Sequence, residues 1–199
     1  NMEILHFKPR IEEQIILNEV EIIQQAIVQQ KMIRMDYFAH YKNQLVTDRI
    51  VEPLGLCYYS FQWHLIAYCK LRNDYRDFRV DRIKKVAITE YRFDPERRMK
   101  VQDYLKTIAT DKNLTPMVLV FTASLFQEIQ NYIGYYGFVN KEVLSDGRIR
   151  CTFMNDSIEH VAKWILTLGD GCEIVSPQGL NVLVVEELNV LIAKYNVRN

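Results

Sequence analysis

The hydrophobic period changes close to residue 30. Before that point Ile16, Val20, Ile23 and Ile27 recur every three to four residues, which predicts an amphipathic helix over Pro9–Gln30. Beyond it apolar and polar residues alternate in short segments, as in β-strands. Five strands are predicted: Met32–Phe38, Arg49–Tyr59, Phe61–Lys70, Arg76–Ile83 and Lys84–Phe93.

No helical pattern separates these five strands, so they predict one small, strongly curved antiparallel sheet or barrel. A polar loop through Asn43 is expected between the first two. The second strand contains Pro53 and Gly55. Because proline donates no hydrogen bond to a neighbouring strand, an edge position or a sharp bend is expected there.

The second half of the chain has a different order of elements. Asp94–Thr115 is polar and predicts a connector with one short helix around Val101–Ile108. The elements predicted after it are strand Met117–Thr122, helix Ser124–Ile133, strands Tyr136–Leu144 and Arg148–Phe153, helix Ile158–Leu168, strand Cys172–Ser176 and helix Pro177–Tyr195. This β-α-β-β-α-β order is that of a ferredoxin-like unit.

The predicted fold class is therefore α+β, in four parts. They are an N-terminal linker helix (1–30), a β-barrel domain (31–96), a connector (97–115) and a C-terminal α+β domain (116–199). Two helix starts in the last part have the spacing of a capping box, Ser124 with Gln127 and Asp156 with Glu159. We expect these two pairs to begin their helices.

Composition is that of a folded protein. The chain has 199 residues, 49% of them hydrophobic, with 25 basic and 25 acidic side chains, which argues against extensive disorder. No apolar run reaches the ~20 residues that span a bilayer, and the N-terminus lacks a signal-peptide pattern. Four widely spaced cysteines without a CxxC pair predict reduced, buried thiols. We expect a cytoplasmic protein with no membrane partner.

Charge is balanced over the whole chain but not along it. Residues 70–100 contain 11 Lys or Arg and 6 Asp or Glu, a local net charge of +5. Part of this excess lies in the predicted hairpin of residues 61–83, called here the arginine hairpin. On its first strand one apolar face predicts core, and the opposite face is expected to be exposed. The two faces are Phe61, Trp63, Leu65, Ala67, Cys69 and Gln62, His64, Ile66, Tyr68, Lys70.

Pairing in the arginine hairpin is expected to bring three arginines of the turn and second strand near two side chains of the first strand. These are Arg72, Arg76 and Arg79 with Tyr68 and His64. Guanidinium groups bind phosphate bidentately and aromatic rings stack on bases. The surface therefore predicts an anionic ligand, either a nucleotide or a short single-stranded nucleic acid.

A structural explanation competes with this one. Surface charge clusters are common and usually neutralise one another. Asp81 is placed to pair with Arg79 or Arg82. Asp74 and Asp77 are similarly placed beside the other arginines of the turn and strand. In that case the hairpin is a solvated face without a ligand.

The segment "YYSFQWHLIAYCKLRNDYRDFRVDRI", preceded by "RIVEPLGL" and by a helix leading into "IRMDYF", resembles the WYL-domain family of bacterial transcriptional regulators. His64 stands where the family has its name-giving tyrosine. The later segment "VAKWILTLGDGCEIVSPQGL" is similar to the C-terminal extension that follows the WYL domain. The resemblance spans nearly the whole chain.

The resemblance implies an Sm-like or SH3-like barrel that senses an effector, either single-stranded nucleic acid or a nucleotide, through basic residues. Carried over by position, the ligand-binding residues are Arg79 and Arg82, followed by Arg76 and Tyr68. Face position and charge add His64, Arg49, Arg72 and Tyr37. Such regulators hold operator DNA with a helix-turn-helix head, for which this chain has no room, so we expect an excised effector-binding half. The apolar stripe of the first helix packs on the barrel or pairs with a second subunit, and a homodimer is expected.

No sequence motif indicates metal binding or catalysis. No pair of His and Cys has structural-zinc spacing, and no nucleophile, metalloprotease, P-loop or dinucleotide motif occurs. We expect no metal, no cofactor, no catalytic residue and hence no enzyme. "YIGYYGF" (132–138) holds four aromatic residues and is either a recognition surface or a helix end turning into a strand. The alternative function is a protein-interaction module with no small-molecule or nucleic-acid ligand.

Overall fold

The computed structural model describes residues 11–39 and 44–195. The start of the predicted helix at Pro9 and the loop through Asn43 lie outside these ranges. The described chain divides into two compact units. The first unit runs to Leu56 and resumes over Gln62–Met99, while the second comprises Cys57–Phe61 and the residues from Lys100 onward.

The first unit contains one long helix and a five-stranded antiparallel sheet. Its elements are α1 (Ile11–Gln29), β1 (Lys31–Ala39), β2 (Gln44–Tyr59), β3 (Gln62–Cys69), β4 (Asp74–Arg79) and β5 (Ile83–Arg92). The strand order is β4-β3-β2-β1-β5. β2 is thus a central strand, which contradicts the edge position expected from Pro53. The recorded β1–β2 pairs end at Ile33–Val51, so the proline lies beyond that ladder.

The core of the first unit lies between α1 and one face of the sheet. Val20 and Ile23 of α1 are buried, and Ile16 and Ile27 pack against the same cluster. The apolar stripe of α1 therefore faces its own sheet. The strands contribute buried apolar side chains at alternate positions, among them Ile33, Met35, Val51, Leu65, Ala67 and Phe78.

A short connection forces the sheet to curl. β4 and β5 form its two edges, yet only the 3-10 turn Val80–Arg82 joins them. The edges of a flat five-stranded sheet would be about 19 Å apart, whereas three residues of 3-10 helix rise about 6 Å. Curling brings the edges together, but β4 and β5 are not hydrogen-bonded to each other in the described residues. The described sheet is therefore not a closed barrel, and the Sm-like or SH3-like barrel stays a prediction.

The same turn corrects the predicted strand Arg76–Ile83. Arg79 ends β4, Val80–Arg82 forms the turn, and Ile83 begins β5. Val80 is buried, which anchors the turn in the core. Arg79 and Arg82 therefore lie on different elements rather than along one strand.

Both faces of β3 are largely covered, although only one was expected to be. Leu65, Ala67 and Cys69 are buried as predicted, but His64 (5% exposed) and Ile66 (0%) of the supposedly exposed face are buried as well. The His64 ring is held by Asp77 of β4, with 2.6 Å between Nδ1 and Oδ1. A hydrogen-bond partner inside the protein thus makes burial of this polar residue tolerable.

The residues that follow β5 are tied back onto the first sheet. A 3-10 turn, Pro95–Arg97, precedes Arg98, which donates to both carboxylate oxygens of Glu52 on β2. Lys70 lies 3.4 Å from the same carboxylate, whose side chain is only 3% exposed. The Arg98 guanidinium also sits 4.0 Å above the Tyr68 ring. A buried acid on a central strand thus fixes the end of the first unit.

The second unit contains four α-helices and a four-stranded antiparallel sheet among its described residues. In chain order they are α2 (Val101–Lys112), β6 (Thr115–Phe121), α3 (Ala123–Ile129), β7 (Phe138–Val143), β8 (Ile149–Asn155), α4 (Ile158–Ile165), β9 (Cys172–Ser176) and α5 (Gln178–Tyr195). The strand order is β7-β8-β6-β9. The alternation of strands and helices from β6 onward follows the predicted sequence; the ferredoxin-like classification stays a prediction.

The helices of this unit begin one or two residues away from the predicted caps. Thr122, not Ser124, caps α3 by accepting a hydrogen bond from the backbone N–H of Leu125. Ser157, not Asp156, caps α4 in the same way through His160. A hydroxyl at the residue immediately before the first helical turn provides the acceptor that the exposed N–H groups need.

None of the helices described here is both long and apolar enough to cross a membrane.

Candidate functional site

A buried arginine lies at one end of the core-facing side of the first sheet. Arg49 is paired with Met35 across β1 and β2, in phase with buried Val51 two residues on. Because alternate residues share a face, the strand directs this arginine toward the core. Arg49 is 6% exposed.

The contacts of the Arg49 guanidinium are aromatic and sulfur rather than carboxylate. Its central carbon lies 5.3 Å from the Phe78 ring centre and 5.9 Å from that of Tyr37. Its Nη1 atom is 3.6 Å from the sulfur of Cys69, which is a weak acceptor. Its Nε is buried without a hydrogen-bond partner. Within the described ranges no carboxylate forms an ion pair with it.

A second arginine shares Tyr37 with the first. Arg82 acts on the same phenol, since its positive charge opposes the rise in the pKa of Tyr37, and its Nε is buried without a hydrogen-bond partner. Burial raises the pKa of Tyr37 despite these neighbouring cations, so the phenol stays neutral. We call Arg49, Arg82, Tyr37, Phe78 and Cys69 the arginine–tyrosine cluster.

The electrostatics of this cluster are unusual for a protein interior. Buried charges are normally paired, because removing an ion from water without a partner is costly. A buried donor without an acceptor adds about 1–3 kcal/mol. Two guanidinium Nε atoms beside one phenol are therefore buried donors that have no acceptor in the described residues.

Two of the other predicted arginines are paired with neighbouring carboxylates. Arg79 donates to Asp81 through Nε (3.0 Å) and Nη2 (2.6 Å), and the paired charges lower the pKa of Asp81. Arg76 lies 3.1 Å from Asp74. Arg72 is exposed in the turn. The competing structural explanation is thus correct for Arg79 and Arg76.

Nor do the five side chains of the arginine hairpin form one surface. His64 is opposite Arg79, but Arg76 is opposite Ala67 and so lies on the other face of the sheet from Tyr68. Tyr68 packs edge-on against Tyr75, with ring centres 5.3 Å apart. The expected grouping of Arg72, Arg76 and Arg79 with Tyr68 and His64 is therefore wrong.

Of the eight predicted ligand-binding residues, the structure brings together Arg49, Arg82 and Tyr37. Two members of the cluster, Phe78 and Cys69, were not among the predicted ligand-binding residues. The signal that finds this site is the phase of Arg49 with Val51 and Pro53 in "RIVEP". A charged residue at an apolar position of a strand is informative because it has to be paired or used.

The chain matches two family models in succession. A model described as WYL domain matches residues 18–88, and one described as WCX domain matches residues 113–191. The chain belongs to the WYL-domain family of transcriptional regulators. This confirms the resemblance seen in the sequence.

Similar individual proteins are longer. An uncharacterized HTH-type transcriptional regulator of Bacillus subtilis (strain 168), YobV, is 36% identical over 93 residues, which are 44% of this chain and 28% of that protein. This chain spans less than a third of its length. Proteasome accessory factor B/C (PafBC) of Arthrobacter aurescens is similar in structure, with a TM-score of 0.41 and 21% identity over 86% of this chain and 26% of that one.

A CRISPR Cas-related protein is also similar, with a TM-score of 0.39 and 12% identity over 92% of this chain and 55% of that one. Both TM-scores are below 0.5.

Proposed function

We propose that the chain is the effector-sensing portion of a cytoplasmic transcriptional regulator and that its effector is an anion. The effector is a nucleotide or a short single-stranded nucleic acid, whose phosphate binds at the arginine–tyrosine cluster. One observation carries this proposal: Arg49 is buried, charged and without a carboxylate partner in the described residues. An internal structural arginine would be expected to have one.

The chemistry of the cluster fits phosphate. Guanidinium groups present several N–H donors in a fixed plane and bind phosphate oxygens bidentately. The Nε atoms of Arg49 and Arg82 are the donors left for such oxygens. Phosphate oxygens are stronger acceptors than the Cys69 sulfur that Arg49 contacts in this cluster. Ligand binding at this cluster removes the cost of the two unpartnered donors.

Coupling to transcription requires only a difference in affinity between two arrangements of the regulator. The B. subtilis relative is named as an HTH-type transcriptional regulator. We propose a helix-turn-helix head for the full-length protein, which holds operator DNA. An effector that prefers one arrangement by a few kcal/mol shifts the population of that arrangement.

Binding of labelled single-stranded oligonucleotides and cyclic dinucleotides, measured by fluorescence anisotropy at several salt concentrations, tests this proposal. Arg49→Met and Arg82→Met are expected to weaken binding at least about tenfold each, as for the loss of a charge-assisted hydrogen bond. For oligonucleotides, each lost phosphate contact also reduces the slope of log affinity against log salt by about 0.7.

Arg72→Met is the matched control, because Arg72 is exposed in the turn of the same hairpin. It is expected to change affinity less than about threefold. Circular dichroism establishes that each variant is folded. Affinity that is unchanged in both Arg49→Met and Arg82→Met, or lowered equally by Arg72→Met, rules out this site.

A second candidate function is a protein-interaction module. The observation that favours it is a run of exposed apolar side chains on α5, including Val182, Val185 and Ile192. Salt-insensitive binding of a partner protein, abolished by Val185→Asp and without any oligonucleotide binding, would support it. We also propose that the regulator has no catalytic activity and forms a homodimer. Sedimentation equilibrium, which measures the mass of the assembly in solution, tests the dimer.

A further inference from the structure

The second unit contains a pocket of about 240 Å³ that the proposed function does not use. All ten residues that line it belong to this unit, four of them from segment 57–61 and six from residues 135–160. Six of the ten carry an aromatic ring, counting one histidine. Its volume is below the ~300–1,000 Å³ of most ligand pockets, so a matching ligand is small.

The rings of this pocket are held in place by packing. Tyr136 stacks on Trp164, with ring centres 4.0 Å apart and planes 9° apart. His160 stacks on Tyr136, with ring centres 5.3 Å apart. Tyr58 meets Tyr135 edge to face at 5.3 Å. Burial raises the pKa of Tyr58 and that of Tyr136, so both phenols stay neutral.

A strained turn adds one more ring at the opening of the pocket. Ser60 and Phe61 have φ angles of +49° and +58°, the left-handed conformation that glycine adopts without cost. Phe61 is nevertheless present there and is 75% exposed. Strain of this kind persists where the surrounding structure determines it, often at ligand sites.

The charge of the lining is negative. Asp156 is its one carboxylate, and no lysine or arginine lines the pocket. Oδ2 of Asp156 accepts a hydrogen bond of 2.8 Å from the Ser60 hydroxyl. Its Oδ1 has no hydrogen-bond partner in the described part of the chain. An anion is repelled here, and a cation gains both the carboxylate and the ring faces.

We propose that this pocket binds a small organic cation bearing an alkylated ammonium group. Aromatic faces attract such a cation through their negative centres, and ring-lined cages are a known means of recognising quaternary ammonium. Asp156 supplies the opposite charge, and the hydroxyl of Ser60 orients that carboxylate. The proposal does not depend on the anion site, because it uses other residues and the opposite charge.

Tetramethylammonium and choline chlorides, titrated into the chain by calorimetry, test the proposal. Saturable binding of both salts is expected. The neutral isostere of choline, 3,3-dimethyl-1-butanol, should bind about tenfold more weakly, because it lacks the charge that the ring faces attract. Arg49→Met is expected to leave cation binding unchanged, which separates failure of this proposal from failure of the proposed function.

Tyr135→Ala has a matched control in Tyr132→Ala. Both tyrosines are 41% exposed and three residues apart, but only Tyr135 lines the pocket. Tyr135→Ala is expected to weaken binding about fivefold to tenfold, and Tyr132→Ala to have no effect. Asp156→Asn should weaken binding similarly, while Asp170→Asn, an exposed acid outside the pocket, should not.

Three results would overturn the proposal. They are absence of saturable binding by either salt, equally strong binding of the neutral alcohol, and equal losses in Tyr135→Ala and Tyr132→Ala. Thermal melts of each variant confirm that a loss of binding is not a loss of folding.

Discussion

Two buried charged side chains of the first unit differ in whether a side chain of opposite charge pairs with them. Glu52 is almost completely buried, and both Arg98 and Lys70 neutralise it. Arg49 is almost as buried, but it rests on two aromatic rings and a thiol and has no carboxylate in the described residues. The first is a complete structural interaction. The second leaves a charge that an external ligand is suited to match, and the difference is measurable.

The largest expected effect comes from breaking the complete interaction. Arg98→Ala leaves the Glu52 carboxylate buried with Lys70 alone, and the free energy of unfolding should fall by about 3–5 kcal/mol. The matched control is Arg97→Ala, because Arg97 is 83% exposed and pairs only with exposed Asp94. Its cost should stay below about 1 kcal/mol. Urea unfolding measures both, and equal costs would show that the Glu52 pair contributes no more than a surface pair.

Glu19 of α1 is a third buried charged group of the first unit, and its titration is expected to make stability depend on pH. It is 9% exposed, and burial raises its pKa to about 7 although Lys84 lies nearby. The folded state therefore holds this proton more tightly than the unfolded chain does. The contribution of Glu19 to the free energy of unfolding is fully present below about pH 4.5 and is lost as the pH rises through about 7.

Glu19→Gln removes that loss. It should raise the free energy of unfolding by about 2–3 kcal/mol at pH 8 and leave it nearly unchanged at pH 4. Unfolding curves across this pH range provide the measurement. A gain of the same size at both pH values would mean that titration of Glu19 is not its cause.

The smallest expected effect is on the unpaired arginine. Arg49→Met removes a buried charge and keeps an unbranched chain between the rings of Tyr37 and Phe78. We expect stability to rise by about 1 kcal/mol while anion binding is lost, the exchange expected of a functional residue. A thermal melt measures this. A loss of several kcal/mol would instead give Arg49 the structural role that Arg98 has.

Most of the elements could be predicted from the sequence, because periodicity reports which residues face the core. β1, β3 and β5 lie within one or two residues of their predicted limits. The predicted strand Arg76–Ile83 was wrong because Phe78 and Val80 continue the alternation into the turn. The edge position predicted from Pro53 was wrong for another reason. This proline lies beyond the residues of β2 that pair with β1, so it costs no hydrogen bond to β1.

The candidate site was harder to predict, because it depends on which charges meet in three dimensions. Both the pairing of Arg79 with Asp81 and that of Arg76 with Asp74 were among the alternatives that the sequence left open. Nothing in the strand pattern showed that Asp77 would bind His64 and so allow its burial. Arg49 could be identified as a candidate, but its aromatic surroundings come from β1 and β4, which are distant in sequence.

The three-residue connection between β4 and β5 holds the two edges of the curled sheet close together. Tyr37 lies beside this connection, since Arg79 and Arg82 are both among the groups that lower its pKa. We propose that an effector phosphate at the arginine–tyrosine cluster draws Arg82 away from Tyr37. A change in the curvature of the sheet would then report whether the effector is bound.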